Sequence, residues 1–387
     1  MNTRHHGISM WDDPNGTRPI ASVDTSIICI WGTAPAADAA KYPYHQPVLF
    51  TSRADITNIG ATGTAPQALD AIYKQGSPYT VFIRVPAPTG DNLDDIIGGV
   101  NDTTGAYEGI YAAKAVEVAT GLRPRIFVAP GFTHHKSVLD AMVENATALR
   151  GMIYADGPNT TDADVIAYRN QFGSKYIKLY DPAVKTTYNG DSVNMPVSAF
   201  IAGARAVLDN AKGTHWSLSN YELNGIEGLV RPIDYNYMDS SSRANLLNNA
   251  GVATIIRKKG FLAWGNRTCA SDPKWKFESV VREVDATKDA VQMGIDWATD
   301  NPIDGKFFEN VVGSVNAFLR YRKNVKKAIL GGQCWVELKA NTPDILETGE
   351  VNFMFDLTVP APAEHIGVGV QHVNDYYKGI IPADLLR

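Results

Sequence analysis

The sequence predicts a multi-domain chain that combines α/β and α+β folds. Three observations predict it. Continuous apolar runs such as residues 26–31, SIICIW, have the pattern of strands buried on both faces. Strand and helix signals alternate between residues 107 and 210, the pattern of a parallel sheet covered by helices. The last third instead gives two long helices followed by two strands of alternating polarity.

Taken in order, residues 1–20 read as an arm. Gly7, Asp12, Pro14, Gly16 and Pro19 punctuate a short patch of Ile8, Ser9, Met10 and Trp11, too small to build a core. Such a segment can add as an extended strand to a neighbour's sheet, because its backbone groups need partners. A first unit, 21–106, contains strands at 26–31, 48–50 and 80–85 and a helix at 65–73. Residues 86–106 are rich in Gly, Pro, Asp and Asn and mark a candidate boundary. The middle unit, 107–245, carries strands at 125–129, 151–155 and 176–180 and helices at 137–149, 162–170 and 196–210. In the third unit, 246–364, strands at 252–256 and 261–264 read as a hairpin closed at Gly260. Helices follow at 286–299, with Ala290, Met293 and Trp297 on one face, and at 303–324, with Phe307, Val311, Val315, Phe318 and Arg322 on one face. Strands at 333–339 and 351–359 read as antiparallel. Residues 365–387 form a second arm whose extended piece contains Ile366, Val368, Val370 and Val373. No internal repeat is evident.

Composition narrows the function. With 44% hydrophobic and 20% charged residues the chain has ample material for sizeable cores. A net charge of -5 provides no global basic footprint for nucleic acid. Cys29, Cys269 and Cys334 are far apart and odd in number, which argues against zinc and against a disulfide framework; reduced thiols fit assembly in a cytoplasm. No run of about 18 apolar residues is present to span a membrane, and the N-terminus lacks the apolar core of a signal peptide.

The chemical motifs are sparse. His5-His6 and His134-His135 are adjacent rather than at metal-ligand spacing, and Thr133 reads as the N-cap of the helix after His135. No nucleophile elbow or phosphate-binding loop occurs. Gly367-Val368-Gly369 reads as a bulge or close backbone approach, and Asp156 as a loop aspartate after a strand. We therefore expect no catalytic, cofactor-binding or metal residues. The conspicuous cluster is basic: Arg320, Arg322, Lys323, Lys326 and Lys327 crowd the end of the second long helix. Cations there complement the helix dipole, but five in an acidic protein point also to an acidic protein surface as partner.

The stretch 248–269, NNAGVATIIRKKGFLAWGNRTC, resembles the signature of tail sheath proteins from contractile phage tails and R-type pyocins. The resemblance extends in order along the chain: Arg4-His5-His6-Gly7, the N-G-T-R at 15–18, the L-S-N of 218–220, the N-N-A-G-V of 248–252, the W-G-N-R-T of 264–268, and the proline-rich 359–364. It implies a sheath subunit with a subtilisin-like, non-catalytic middle domain and a C-terminal α+β domain. Its N- and C-terminal arms would exchange strands with neighbours through Ile8 to Trp11 and Ile366 to Val373. It further implies a helical homo-oligomer of stacked, hexameric rings around a tail tube, with baseplate and terminator partners, no cofactor, no nucleic acid and no membrane insertion. Assembly would take place in the host bacterial cytoplasm, and contraction would drive the tube through the target envelope. Residues 320–327 would touch the tube. The competing readings are a type VI or other injection sheath and, from another class, an α/β enzyme acting on a small molecule.

Overall fold

The computed structural model describes residues 18–378 and 380–381. The arm residues Ile8, Ser9, Met10 and Trp11 lie outside the described residues.

The first half of the chain runs β1 (Ile28–Gly32), β2 (Pro47–Phe50), α1 (Thr64–Gln75), β3 (Thr80–Arg84), α2 (Asp94–Ile97), α3 (Val116–Thr120), β4 (Ile126–Val128), α4 (Lys136–Leu149), β5 (Met152–Asp156), α5 (Asp162–Arg169) and β6 (Ile177–Tyr180). These strands form one six-stranded sheet in the order β2-β3-β1-β4-β5-β6. All neighbours are parallel except the edge pair β2–β3. β1, β3, β4, β5 and β6 are buried at every position, as expected of strands covered on both faces. The chain leaves β1 toward β3 on one side and later toward β5 and β6 on the other. Right-handed crossovers then place α1 and α4 on opposite faces. Because β1 pairs with both β3 and β4, the boundary expected near residue 106 falls in a connection within one sheet, and a single core continues across it.

A three-stranded sheet follows, from β7 (Val184–Tyr188) and β8 (Asp191–Met195), then α6 (Ser198–Lys212) and the short β9 (Gly228–Leu229). Next come α7 (Arg243–Asn249) and the expected hairpin, β10 (Thr254–Arg257) and β11 (Phe261–Trp264), with Thr254 opposite Trp264. Val252, Ile255, Ile256, Ala263 and Cys269 all pack in the large core of the parallel sheet. The hairpin is thus part of the sheet unit, and the expected division after residue 245 also lies inside that core.

The last elements are α8 (Glu278–Gly294), α9 (Gly305–Asn324), β12 (Gly331–Val336), α10 (Pro343–Glu347) and β13 (Phe353–Thr358). Asp304 caps α9 by accepting the Phe307 N–H. A second, smaller core unites Ile20, Ala290, Val291, Val315, Phe318, Leu319, Ile329, Cys334 and Val359. α8 serves both cores, with Val281 in the large one and Ala290 and Val291 in the small one.

Three expectations need correction. The first long helix begins at Glu278, eight residues before expected, and ends at Gly294; Met293 is exposed and Trp297 lies beyond its end. Its first turns bury charged side chains, so no apolar stripe marks them. Thr133 does not cap α4; His135 occupies that position, while the buried Thr133 hydroxyl accepts the Asp156 N–H. Gly367 and Gly369 make no close backbone approach and stand in an exposed segment. No described helix is long and apolar enough to cross a membrane.

Candidate assembly surfaces

The junction between the two cores is ionic and buried. Lys178 of β6 donates to Glu278 at 2.7 Å, and Arg205 of α6 and Arg282 of α8 converge on Asp209 and Glu278. The Tyr154 hydroxyl also donates to Glu278. All of these side chains are at most 3% exposed. Burial alone would raise the Glu278 pKa, but Lys178, Arg205 and Arg282 outweigh it and hold it down at about 2. A carboxylate so surrounded is a fixed charge, and breaking up such a buried set costs more than forming it gains. The network ties α8 to the sheet. Nothing in the sequence marked it apart from the i,i+4 spacings of Arg205 with Asp209 and Glu278 with Arg282, since its other partners are far apart in the chain.

The signature segment reinforces the same junction. Gly265 has φ 128°, and a Cβ there would meet Asn248 Oδ1 at 2.4 Å, which explains why Asn248 and a Trp-Gly turn belong together. The Gly265 N–H donates to Ser219, the Glu278 N–H to the Asn266 carbonyl, and the Cys269 N–H to Ile177 of β6. Trp264 packs edge-on against Tyr235. Arg267 reaches Glu364 at 2.9 Å.

The basic cluster divides. Arg320, Lys323, Lys326 and Lys327 are exposed, but Arg322 is buried and pairs with the fully buried Glu283 through Nε (3.1 Å) and Nη2. Arg322 continues the inward stripe of Val311, Val315 and Phe318, so it is a structural ion pair and not a surface contact.

The small unit is left open. β12 and β13 form a two-stranded sheet with Gly331 opposite Thr358, and neither outer edge has a strand partner among the described residues. Residues 360–373 form no helix or strand, and a short 3-10 turn follows at Asp375–Tyr377. Ile366, Val368 and Val370 are 77%, 82% and 92% exposed, and Val373 is half-buried. The N-terminal segment roots in the same unit: the Arg18 N–H donates to Ser314, the Arg18 guanidinium lies over Trp297, and Ile20 enters the small core.

The sheet's carboxyl ends, where open α/β folds hold ligands, are closed at the β1–β4 switch point. Thr33 and Thr64 exchange reciprocal hydrogen bonds there at 3.0 Å. A Cβ on Gly63 (φ 100°) would meet the Thr33 carbonyl at 2.2 Å. Farther along lies a cavity of about 270 Å³ beside His134, Asp156 and Asn159. Burial raises the Asp156 pKa to about 6, and its carboxylate accepts both the hydroxyl and the N–H of Ser198, with no imidazole between them. Among the described residues no three His, Cys, Asp or Glu side chains are grouped to hold a metal ion.

The described residues thus present an exposed apolar tail and a two-stranded sheet with no third strand. Comparison with known proteins gives the family of the chain. A model of the phage tail sheath protein central domain matches residues 105–269. The chain is 34% identical over 390 residues to the tail sheath protein of Escherichia phage P2, covering 97% of each. It is also 34% identical over 382 residues to a putative prophage major tail sheath protein of Pseudomonas aeruginosa strain UCBPP-PA14, covering 97% of this chain and 98% of the relative. Its fold matches the contracted helical sheath of the anti-feeding prophage, with a TM-score of 0.70 at 17% identity over 96% of this chain and 100% of that one. It also matches the contracted sheath of the PVC extracellular contractile injection system, with a TM-score of 0.69 at 15% identity over 98% and 99%. The chain belongs to the phage tail sheath protein family. It is a structural subunit of a contractile tail sheath, and its place is the virion tail.

Proposed function

We propose that the subunits polymerise helically, as stacked hexameric rings, around a tail tube between a baseplate and a terminator, after assembly in the host cytoplasm. Contraction of this lattice drives the tube through the target envelope. The middle of the sheet unit corresponds to the subtilisin-like, non-catalytic domain. Residues 1–20 and 365–387 are exchange arms that add strands to the β12–β13 sheets of neighbouring subunits. Arg320, Lys323, Lys326 and Lys327 face the tube; polar, screened contacts suit an interface that must release quickly.

The observation that carries this reading is an apolar, exposed 366–370 segment in a chain whose β12–β13 sheet has no third strand among the described residues; Asn316 of α9 covers the Cys334 backbone of β12, which leaves β13 as the open edge. Open edges of this kind are aggregation-prone unless another strand covers them, and head-to-tail pairing that does not close on itself forms a filament. The test is electron microscopy of purified protein. The full chain should form tubes or rings, and the chain lacking residues 365–387 should stay folded and monomeric. Tubes formed equally well without that segment would refute the arm assignment. Lys326→Glu with Lys327→Glu should spare self-assembly and weaken assembly on the tube.

A further inference from the structure

Between the end of β13 and the exposed arm, residues 360–364 cross a cleft of about 460 Å³ whose opposite wall includes Trp216, Asn248, Trp264 and Arg267. Arg267 is fixed at its backbone, bridging to Phe277, with the next N–H donating to Lys276 at 2.7 Å. Its side chain is half-buried, and Nε and Nη2 both donate to one oxygen of Glu364, at 3.2 and 2.9 Å. Upstream, Val359 is held in the small core. Residues 365–372 are exposed. The chain therefore becomes free at Glu364, not at the end of β13.

We infer that Arg267 and Glu364 form a clip that positions the C-terminal arm for exchange with a neighbouring copy and keeps it off its own sheet. The inference rests on the arm-exchange reading above. An apolar segment tethered a few residues after β13 meets the free edge of its own β12–β13 sheet at high effective concentration, in direct competition with a neighbour's sheet. Two features oppose that self-pairing. Pro360 and Pro362 lack the N–H that a strand continuing beside β13 would need. The clip then holds residues 360–364 across the cleft, which fixes where the exposed segment begins. An ion pair open to water contributes little to folding, and a positioning role asks little of it: it needs only to bias where the arm departs.

The test compares the full chain with Arg267→Glu, Glu364→Arg, the double swap, and a chain ending at residue 364. Two quantities are read: the protein concentration at which tubes first sediment, and thermal stability. Each single reversal should raise the assembly concentration about five-fold, the scale of an exposed pair. Melting should remain unchanged. The double swap should recover parental assembly within about two-fold. Single variants that assemble like the parent, a swap that does not recover, or losses that track melting would each overturn the clip. If the chain ending at residue 364 fails to assemble while the single reversals are neutral, the clip alone falls. If that shortened chain assembles normally, the arm reading falls and takes the clip with it.

Discussion

β1 (ICIWG) and residues 366–370 (IGVGV) are similar five-residue apolar segments with opposite fates. β1 is fully buried, with β3 and β4 on its two sides. Ile366, Val368 and Val370 are more than three-quarters exposed and have no strand partner among the described residues. Hydrophobic burial is non-directional, so composition states that a segment wants cover but not which chain provides it. In this subunit the sheet unit covers itself, whereas the small unit has a two-stranded sheet with no third strand among the described residues.

The comparison can be broken from the closed side first. Trp31→Ala should have the largest effect, since Trp31 is fully buried, stacks edge-on with Phe127, and donates Nε1–H to the Gly109 carbonyl at 3.0 Å. A loss of about 3–5 kcal/mol is expected in urea unfolding; a loss below about 1 kcal/mol would mean the sheet is less closed than its packing implies. Next comes the ionic junction. Glu278→Gln leaves Lys178, Arg205 and Arg282 short of a counter-charge and should cost about 3 kcal/mol at neutral pH. Because the folded pKa of Glu278 is about 2 and the unfolded value is about 4.3, its contribution is complete above the unfolded value and is lost as pH falls toward 2. The variant should therefore show a shallower loss of stability between about pH 4.5 and 2 in acid titrations followed by circular dichroism.

Two further substitutions sharpen the comparison. Arg322→Ala strands the fully buried Glu283 and should destabilise by about 3 kcal/mol, whereas Arg320→Ala, two residues away and exposed, should stay within about 0.5 kcal/mol. Equal effects would show that the helix end does not divide as described. On the open side, Val368→Asp with Val370→Asp should change melting least, by less than about 0.5 kcal/mol, yet remove sedimenting tubes. A large melting shift would mean that the tail is covered within its own subunit.

Much of the sheet was legible because its signals are local. The runs 26–31, 80–85, 125–129, 151–155 and 176–180 each overlap an observed strand, since a segment buried on both faces must be largely apolar. α9 was legible for the same kind of reason: its inward stripe is apolar at helical spacing up to Arg322. α8 was not. Its first turns bury Glu278, Arg282, Glu283 and Asp285, so the half that matters most at the junction carries the polarity of a surface. The cluster at 320–327 read as one patch because a sequence cannot tell a solvated arginine from one paired across 39 residues with a buried glutamate. The hairpin at 252–264 was found, but its core membership was not, since that depends on the backbone of β6 pairing with Ala253.

The sequence by itself determined the strands of the parallel sheet, the hairpin, the second long helix, the poverty of catalytic motifs and the family resemblance, because each is written in spacing or in order along the chain. Only the tertiary structure decided which charges face inward, that one sheet spans the two first units, and that Arg267 meets Glu364. Those outcomes depend on partners tens to hundreds of residues apart, where desolvation and geometry, not local pattern, select the contact.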